Sequence, residues 1–246
     1  MCTLAWQATG QSAWVVFNRD EQLSRATGEP PQLREGPDGR VLAYPTDPVG
    51  GGSWIAVSSA GFCVALLNHY TASAPTPQSG ERSRGQLVLE IAAAANEKGA
   101  SELLREIDFS PFAPFHLFII SHSGGKGVSW PGGAMKTPFG LKGFWTTSSY
   151  CLEAVRARRS VRYSAASVES LEAASTLLRE VEEKAPAYGL AMQRDDACTV
   201  SQTEVELFPP EVKGESAFSM RYRARESVEG LCGWETKVKE VRYGLA

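Results

Sequence analysis

The chain has 246 residues, 43% of them hydrophobic and 22% charged, ordinary globular proportions that argue against long disorder and against a membrane-embedded protein. Its 25 Lys and Arg against 28 Asp and Glu leave a net charge of −3, which gives no general basic field for a polyanion, so no nucleic-acid partner is expected. No apolar run approaches the roughly 20 residues of a membrane span, and the start Met1-Cys2-Thr3-Leu4-Ala5-Trp6-Gln7 lacks the basic and apolar regions of a secretory signal, so one domain over residues 1–246 in the cytoplasm is expected.

In chain order, Cys2 to Ala8 and Ala13 to Asn18 read as strands joined by Thr9-Gly10-Gln11-Ser12, a hairpin turn. A polar loop is expected from Arg19 to Arg40, where Pro30-Pro31 and Pro37-Asp38-Gly39 break any helix. Trp54 to Ser58 and Phe62 to Asn68 form a second hairpin around Ser59-Ala60-Gly61, and a loop rich in Pro, Ser and Thr runs from Tyr70 to Arg82. Gly85 to Lys98 has helical composition with Gly99 to close it, and Ser101 to Ile107 is a short helix with Ser101 as its N-cap. Strands return at Phe115 to Ser121 and Gly127 to Trp130, helices at Leu152 to Tyr163 and Val168 to Lys184, and strands again at Thr199 to Leu207, Phe218 to Arg223 and Thr236 to Val241. Runs of strands broken by blocks of helices, with few β-α-β alternations, point to antiparallel sheet covered by helices. Arg156, Arg158, Arg159 and Arg162 read as the solvated face of an amphipathic helix.

Cys2, Cys63, Cys151, Cys198 and Cys232 are widely spaced with no C-x-x-C pair, so neither a metal site nor a disulfide framework is expected. The chemistry concentrates near the start. Methionine is trimmed before a small side chain, and a mature Cys2 would carry a free α-amine able to take its own thiol proton. The unperturbed values, near ~8 for the amine and ~8.5 for the thiol, make that exchange almost isoenergetic. A buried small residue is the plainer reading of Cys2, and a solvated turn the plainer reading of Asn18-Arg19-Asp20-Glu21. The hairpin changes this, because antiparallel pairing folds that polar cluster back beside Cys2. There Asp20 could hold an ammonium and Arg19 a thiolate or a carboxylate. Asn68, at a strand end, is either a turn former or an oxyanion donor. Arg84 is either a solvated charge or a ligand for an anion.

These blocks resemble the NRDE family, also called the transport and Golgi organisation protein 2 family: Met1-Cys2, then Asn18-Arg19-Asp20-Glu21 with Ser24-Arg25, Gly51-Gly52-Ser53-Trp54-Ile55-Ala56-Val57, Leu67-Asn68-His69-Tyr70 and Ser83-Arg84-Gly85-Gln86-Leu87-Val88. The resemblance implies an α+β fold of the N-terminal-nucleophile hydrolase type, a four-layer αββα sandwich of two mainly antiparallel sheets like that of penicillin V acylase and bile-salt hydrolase. It implies hydrolysis of a linear amide in a small molecule, with Cys2, Arg19, Asp20 and Asn68 catalytic and Asn18, Glu21, Arg25, Trp54, Arg84 and Ser149 around the substrate. Ser149, in Thr147-Ser148-Ser149-Tyr150, stands where an oxyanion Asn is expected. No cofactor is implied under this reading. The alternative that the resemblance carries is a non-catalytic haem-trafficking or haem-binding protein, with His69 and Cys2 as candidate axial ligands; His116 and His122 read as ordinary semi-buried residues.

Overall fold

The computed structural model describes residues 2–36, 38–70, 81–131, 135–138, 140, 142–210, 216–228 and 231–244; Met1 and most of the loop expected between Tyr70 and Arg82 lie outside them. Along the chain come β1 (Cys2–Ala8), β2 (Ala13–Gln22), β3 (Glu29–Glu35), β4 (Val41–Thr46), β5 (Ile55–Ser58), β6 (Phe62–Asn68), α1 (Arg84–Ala92) and α2 (Glu97–Glu106). They are followed by β7 (Phe115–Ser121), β8 (Gly124–Trp130), β9 (Met135–Pro138), β10 (Lys142–Thr147), α3 (Leu152–Ala165), α4 (Leu171–Leu178), β11 (Ala197–Pro210), β12 (Ser216–Val228), β13 (Leu231–Trp234) and β14 (Lys239–Tyr243).

The strands form two antiparallel sheets. One runs β10-β1-β2-β11-β12-β13, with β14 also paired to β12, and the other runs from β3 to β9 in chain order. Side-chain alternation sorts each strand into two cores. Leu4, Trp6, Val15 and Phe17 of the first sheet meet Cys63, Ala65, Leu67, Phe118 and Ile120 of the second in the layer between the sheets. The opposite face of the first sheet, through Ala5, Trp14 and Val16, packs on Leu171, Ala174, Leu177 and Leu178 of α4. The opposite face of the second, through Phe62, Val64 and Leu66, packs on Leu87, Val88 and Ile91 of α1 and Leu104 of α2. The order is therefore helix, sheet, sheet, helix, the expected αββα sandwich. Trp6 is the largest wedge in the central layer, and it fits because Gly143 lies beside it: a Cβ there would overlap the indole ring.

Several boundaries differ from expectation. The segment from Arg19 to Arg40 is not all loop, since β2 continues to Gln22 and β3 follows. Pro30 and Pro31 are tolerated because β3 is an edge strand whose register shifts between Glu29 and Gln32. The helix expected over Gly85 to Lys98 is split. Asn96 accepts a bond from the Gly99 N–H at 2.8 Å and starts α2, placing Gly99 inside a helix. Ser101 is not a cap; its hydroxyl donates to the Glu97 carbonyl at 2.7 Å. The helix expected from Val168 to Lys184 is cut to Leu171–Leu178 and is capped by Ser170. No described helix is long and apolar enough to cross a membrane.

Candidate active site

Cys2 opens β1, directly across from Arg19 of β2 on one side and Thr147 of β10 on the other. Residues directly opposite in antiparallel strands share a face. Cys2, Arg19 and Thr147 therefore look toward the layer between the sheets. Thr3, Asn18 and Asp20 look the other way, toward α3 and α4. The third strand of this group, β11, breaks register between Thr199 and Ser201, opposite Asp20 and Arg19. A bulge at this point re-aims side chains at the end of the hairpin, as bulges beside binding sites do.

The thiol edge adjoins a cavity of about 700 Å³. Cys2, Arg19 and Glu21 line it from the first sheet, and Trp54, Asn68 and Arg84 from the second and its helix. Arg25 and Ser149 also reach it, so nine of the ten residues expected at the site border one space. The tenth, Asn18, does not. Its Nδ2 donates to the Leu178 carbonyl at 2.6 Å and the Leu190 carbonyl at 3.1 Å, and its Oδ1 accepts from Gln202 at 3.1 Å. Strand alternation turns it under α4, where it ties helix to sheet, and this overturns its expected contact with substrate.

Within the cavity, the Arg19 guanidinium lies 4.4 Å from the ring centroid of Trp54 and donates to Glu21 at 3.2 Å. Arg25 pairs with Asp47 at 2.6 Å, and Asp47 also stands 3.9 Å from Arg19. Burial alone would raise the Asp47 carboxyl, but the hydrogen bond and charge of Arg25, with help from Arg19, hold it below its ordinary range. The Trp54 indole N–H is buried with no hydrogen-bond partner among the described residues. Asn68 donates through Nδ2 to the Tyr70 hydroxyl at 3.1 Å. The wall that carries Trp54 and Arg84 is held by a close backbone approach: the Ser53 N–H donates to the Gly85 carbonyl at 3.1 Å, and a Cβ on Gly52 would collide with the Gly85 carbonyl carbon. Only glycine fits at position 52.

Burial, with the charge of Asp20, pushes the Cys2 thiol up from 9.0 to about 11, against the opposing effects of a backbone N–H bond from Asp20 and the charge of Arg19. The sulfur thus sits where the second strand of the hairpin folds back on the first, with the Asp20 amide at its edge. The Asp20 carboxylate is fixed on the helix side. It accepts from the Thr199 hydroxyl at 2.6 Å and from both Arg159 terminal nitrogens at 3.3 Å. Arg159, only 1% exposed, also donates to the Thr3 and Thr146 hydroxyls at 2.8 and 2.9 Å. This overturns the solvated reading of Arg159, although Arg158 and Arg162 do pair at the surface with Glu182 and Glu180. The pattern holds a signal, because Arg159 follows the buried Val155 by one helical turn.

Asp47, Tyr70, Thr147 and Arg194 are not among the residues expected at the site; Asp47, Tyr70 and Arg194 line the cavity, and Thr147 flanks Cys2 with a buried hydroxyl that has no hydrogen-bond partner among the described residues. The histidine pair lies elsewhere. His69 does not line the cavity; its ring lies 4.6 Å from that of His116, tilted by 46°, and His116 shares a hydrogen bond with Ser129 at 2.6 Å.

A model of the family described as Transport and Golgi organisation 2 matches residues 1–136, the stretch that carries Cys2, the hairpin, Trp54, Asn68 and Arg84. No curated protein matches the chain. Among solved structures, the Caenorhabditis elegans N-acylethanolamine-hydrolyzing acid amidase ortholog is similar in fold, with a TM-score of 0.56 at 12% identity over 83% of this chain and 92% of that one. With more than half of its length matched by that family model, the chain belongs to the Transport and Golgi organisation 2 family.

Proposed function

We propose that the protein is a cysteine N-terminal-nucleophile hydrolase that cleaves a linear amide bond of a small molecule. The observation that carries this reading is the position of Cys2: first residue of the first strand, paired with Arg19, touched by the Asp20 amide, and opening into the 700 Å³ cavity. With Met1 removed, the Cys2 α-amine accepts the thiol proton and the thiolate attacks the amide carbonyl carbon. Asn68 Nδ2, now on the Tyr70 hydroxyl, is the side-chain donor for the resulting oxyanion. The α-ammonium returns its proton to the leaving nitrogen as the C–N bond breaks, and water then cleaves the thioester to release the acid and restore the thiol. The charge of Asp20, held in place by Arg159 and Thr199, favours the ammonium form during this exchange.

For haem handling, the candidate ligands Cys2 and His69 do not share one space among the described residues: Cys2 opens into the cavity, and His69 lies outside it beside His116. The test is acylation by 4-nitrophenyl acetate, with adducts located by peptide mass mapping. The expected result is a nitrophenolate burst with acetyl on Cys2, faster than on the four other thiols and lost in Cys2→Ala. Acylation confined to exposed Cys151 and half-buried Cys232, with Cys2 unmodified, would overturn the proposal.

A further inference from the structure

The arginines around the cavity are not equivalent. Arg19 and Arg25 share Glu21 and Asp47, Arg82 pairs with Glu90, and Arg194 pairs with Asp196. Arg84 forms no ion pair among the described residues. Its one hydrogen bond there is from Nη1 to the Pro114 carbonyl at 2.9 Å, which accepts a proton but brings no countercharge. Arg84 is also half-buried, and burial lowers its pKa from the ordinary guanidinium value by more than the charges of Tyr70, Cys2 and Glu21, none of them in an ion pair with it, raise it. It stands at the first position of α1, locked by the Gly52 and Gly85 contact, and lines the same cavity as Cys2.

A desolvated guanidinium facing a cavity is uncompensated until something negative enters. We infer that Arg84 is the anchor for an anionic group of the substrate, and that the amide cleaved at Cys2 therefore belongs to a carboxylate-bearing molecule. One guanidinium without an ion pair among the described residues balances a monoanion, which favours a carboxylate over a phosphate dianion. The planar fork of the guanidinium, with one terminal nitrogen tied to Pro114, keeps donors free for a carboxylate oxygen. Specificity follows from the same contact, because a neutral analogue leaves the half-buried Arg84 without an ion-pair partner.

This inference rests on Cys2 being the reactive residue, and the experiment separates the two claims. The Met1-free protein is alkylated in parallel with iodoacetate and iodoacetamide, near-isosteric reagents that differ in charge and both lose iodide to a thiolate. The rate ratio at Cys2, acetate over acetamide, is referenced to the same ratio for glutathione. The expected result is a normalised ratio raised about tenfold, falling toward the glutathione value in Arg84→Gln and largely kept in Arg84→Lys, with both variants checked for native circular dichroism. A wild-type ratio equal to that of glutathione overturns the anionic anchor and leaves Cys2 as nucleophile. A raised ratio that survives in Arg84→Gln overturns the assignment to Arg84. Cys2 inert to both reagents, while Cys151 is alkylated, overturns the nucleophile and this inference with it.

Discussion

The two faces of the β1-β2 hairpin use the same strands for opposite purposes. Toward the second sheet, Cys2, Arg19 and Glu21 border a cavity, where Arg19 pairs with Glu21 and stands 3.9 Å from Asp47. Toward the helices, Thr3, Asn18 and Asp20 are sealed into a polar network with Arg159, Gln202 and Thr199. Four consecutive residues, Asn18 to Glu21, are thus divided by the two-residue period of a strand into pairs with different work. A contiguous polar motif need not be a contiguous site: here Asn18 is withdrawn from the cavity to hold the sheet under its helices, and Asp20 borders the cavity while its carboxylate is tied to the helix side.

The largest effect expected from breaking the helix-side network is at Arg159. Arg159→Met leaves the Asp20 carboxylate buried without its cation, which should cost about 3–5 kcal/mol in denaturant unfolding. The double variant Arg159→Met with Asp20→Asn should recover part of that loss. A single-variant cost below about 1 kcal/mol, within the range of an exposed pair, would show that the network does not bear on the fold.

Much of this division is legible in the sequence, and the exceptions have physical causes. The hairpin, the strands Phe62–Asn68 and Phe115–Ser121 and the sandwich follow from alternation and turn residues. That Asp20 and Arg19 lie near Cys2 follows from pairing alone. Which side each faces depends on register, and one residue of register exchanges the faces, so the motif by itself assigns Asn18 to the substrate when it belongs under α4. For Arg159 the spacing from Val155 hints at burial, but its partner Asp20 is 139 residues away in the chain, and no local pattern carries that contact. Pro30 and Pro31 hide β3 because an edge strand obeys looser rules than a central one.

A second, smaller effect concerns the histidine pair beside, but outside, the cavity. Burial, with the charges of His69 and Arg156, lowers His116 from 6.5 to about 3. Below pH 6.5 the unfolded chain binds a proton that the folded chain refuses until about pH 3. Stability from this group is therefore whole above pH 6.5 and is lost progressively as the pH falls toward 3, by roughly a few kcal/mol. His116→Gln should flatten that part of the acid-unfolding curve. An unchanged curve would place the acid sensitivity in other groups.

The smallest effect sharpens the comparison of faces most. Asn18→Ala removes bonds to the Leu178 and Leu190 carbonyls and should cost about 1–3 kcal/mol of stability. Because Asn18 is turned from the cavity, the variant should keep the wild-type rate of Cys2 acylation at temperatures where it is folded. A rate loss comparable to that of Asn68→Ala, expected at about 10²–10³-fold for an oxyanion donor, would return Asn18 to the site.

The measurement that bears most directly on the proposed chemistry is the intact mass of the purified protein after expression of the chain starting at Met1. The expected result is a chain lighter by one methionine, beginning with an unblocked Cys2 amine. A mass that retains Met1, or an acylated Cys2 amine, would remove the base from the proposed mechanism and contradict it.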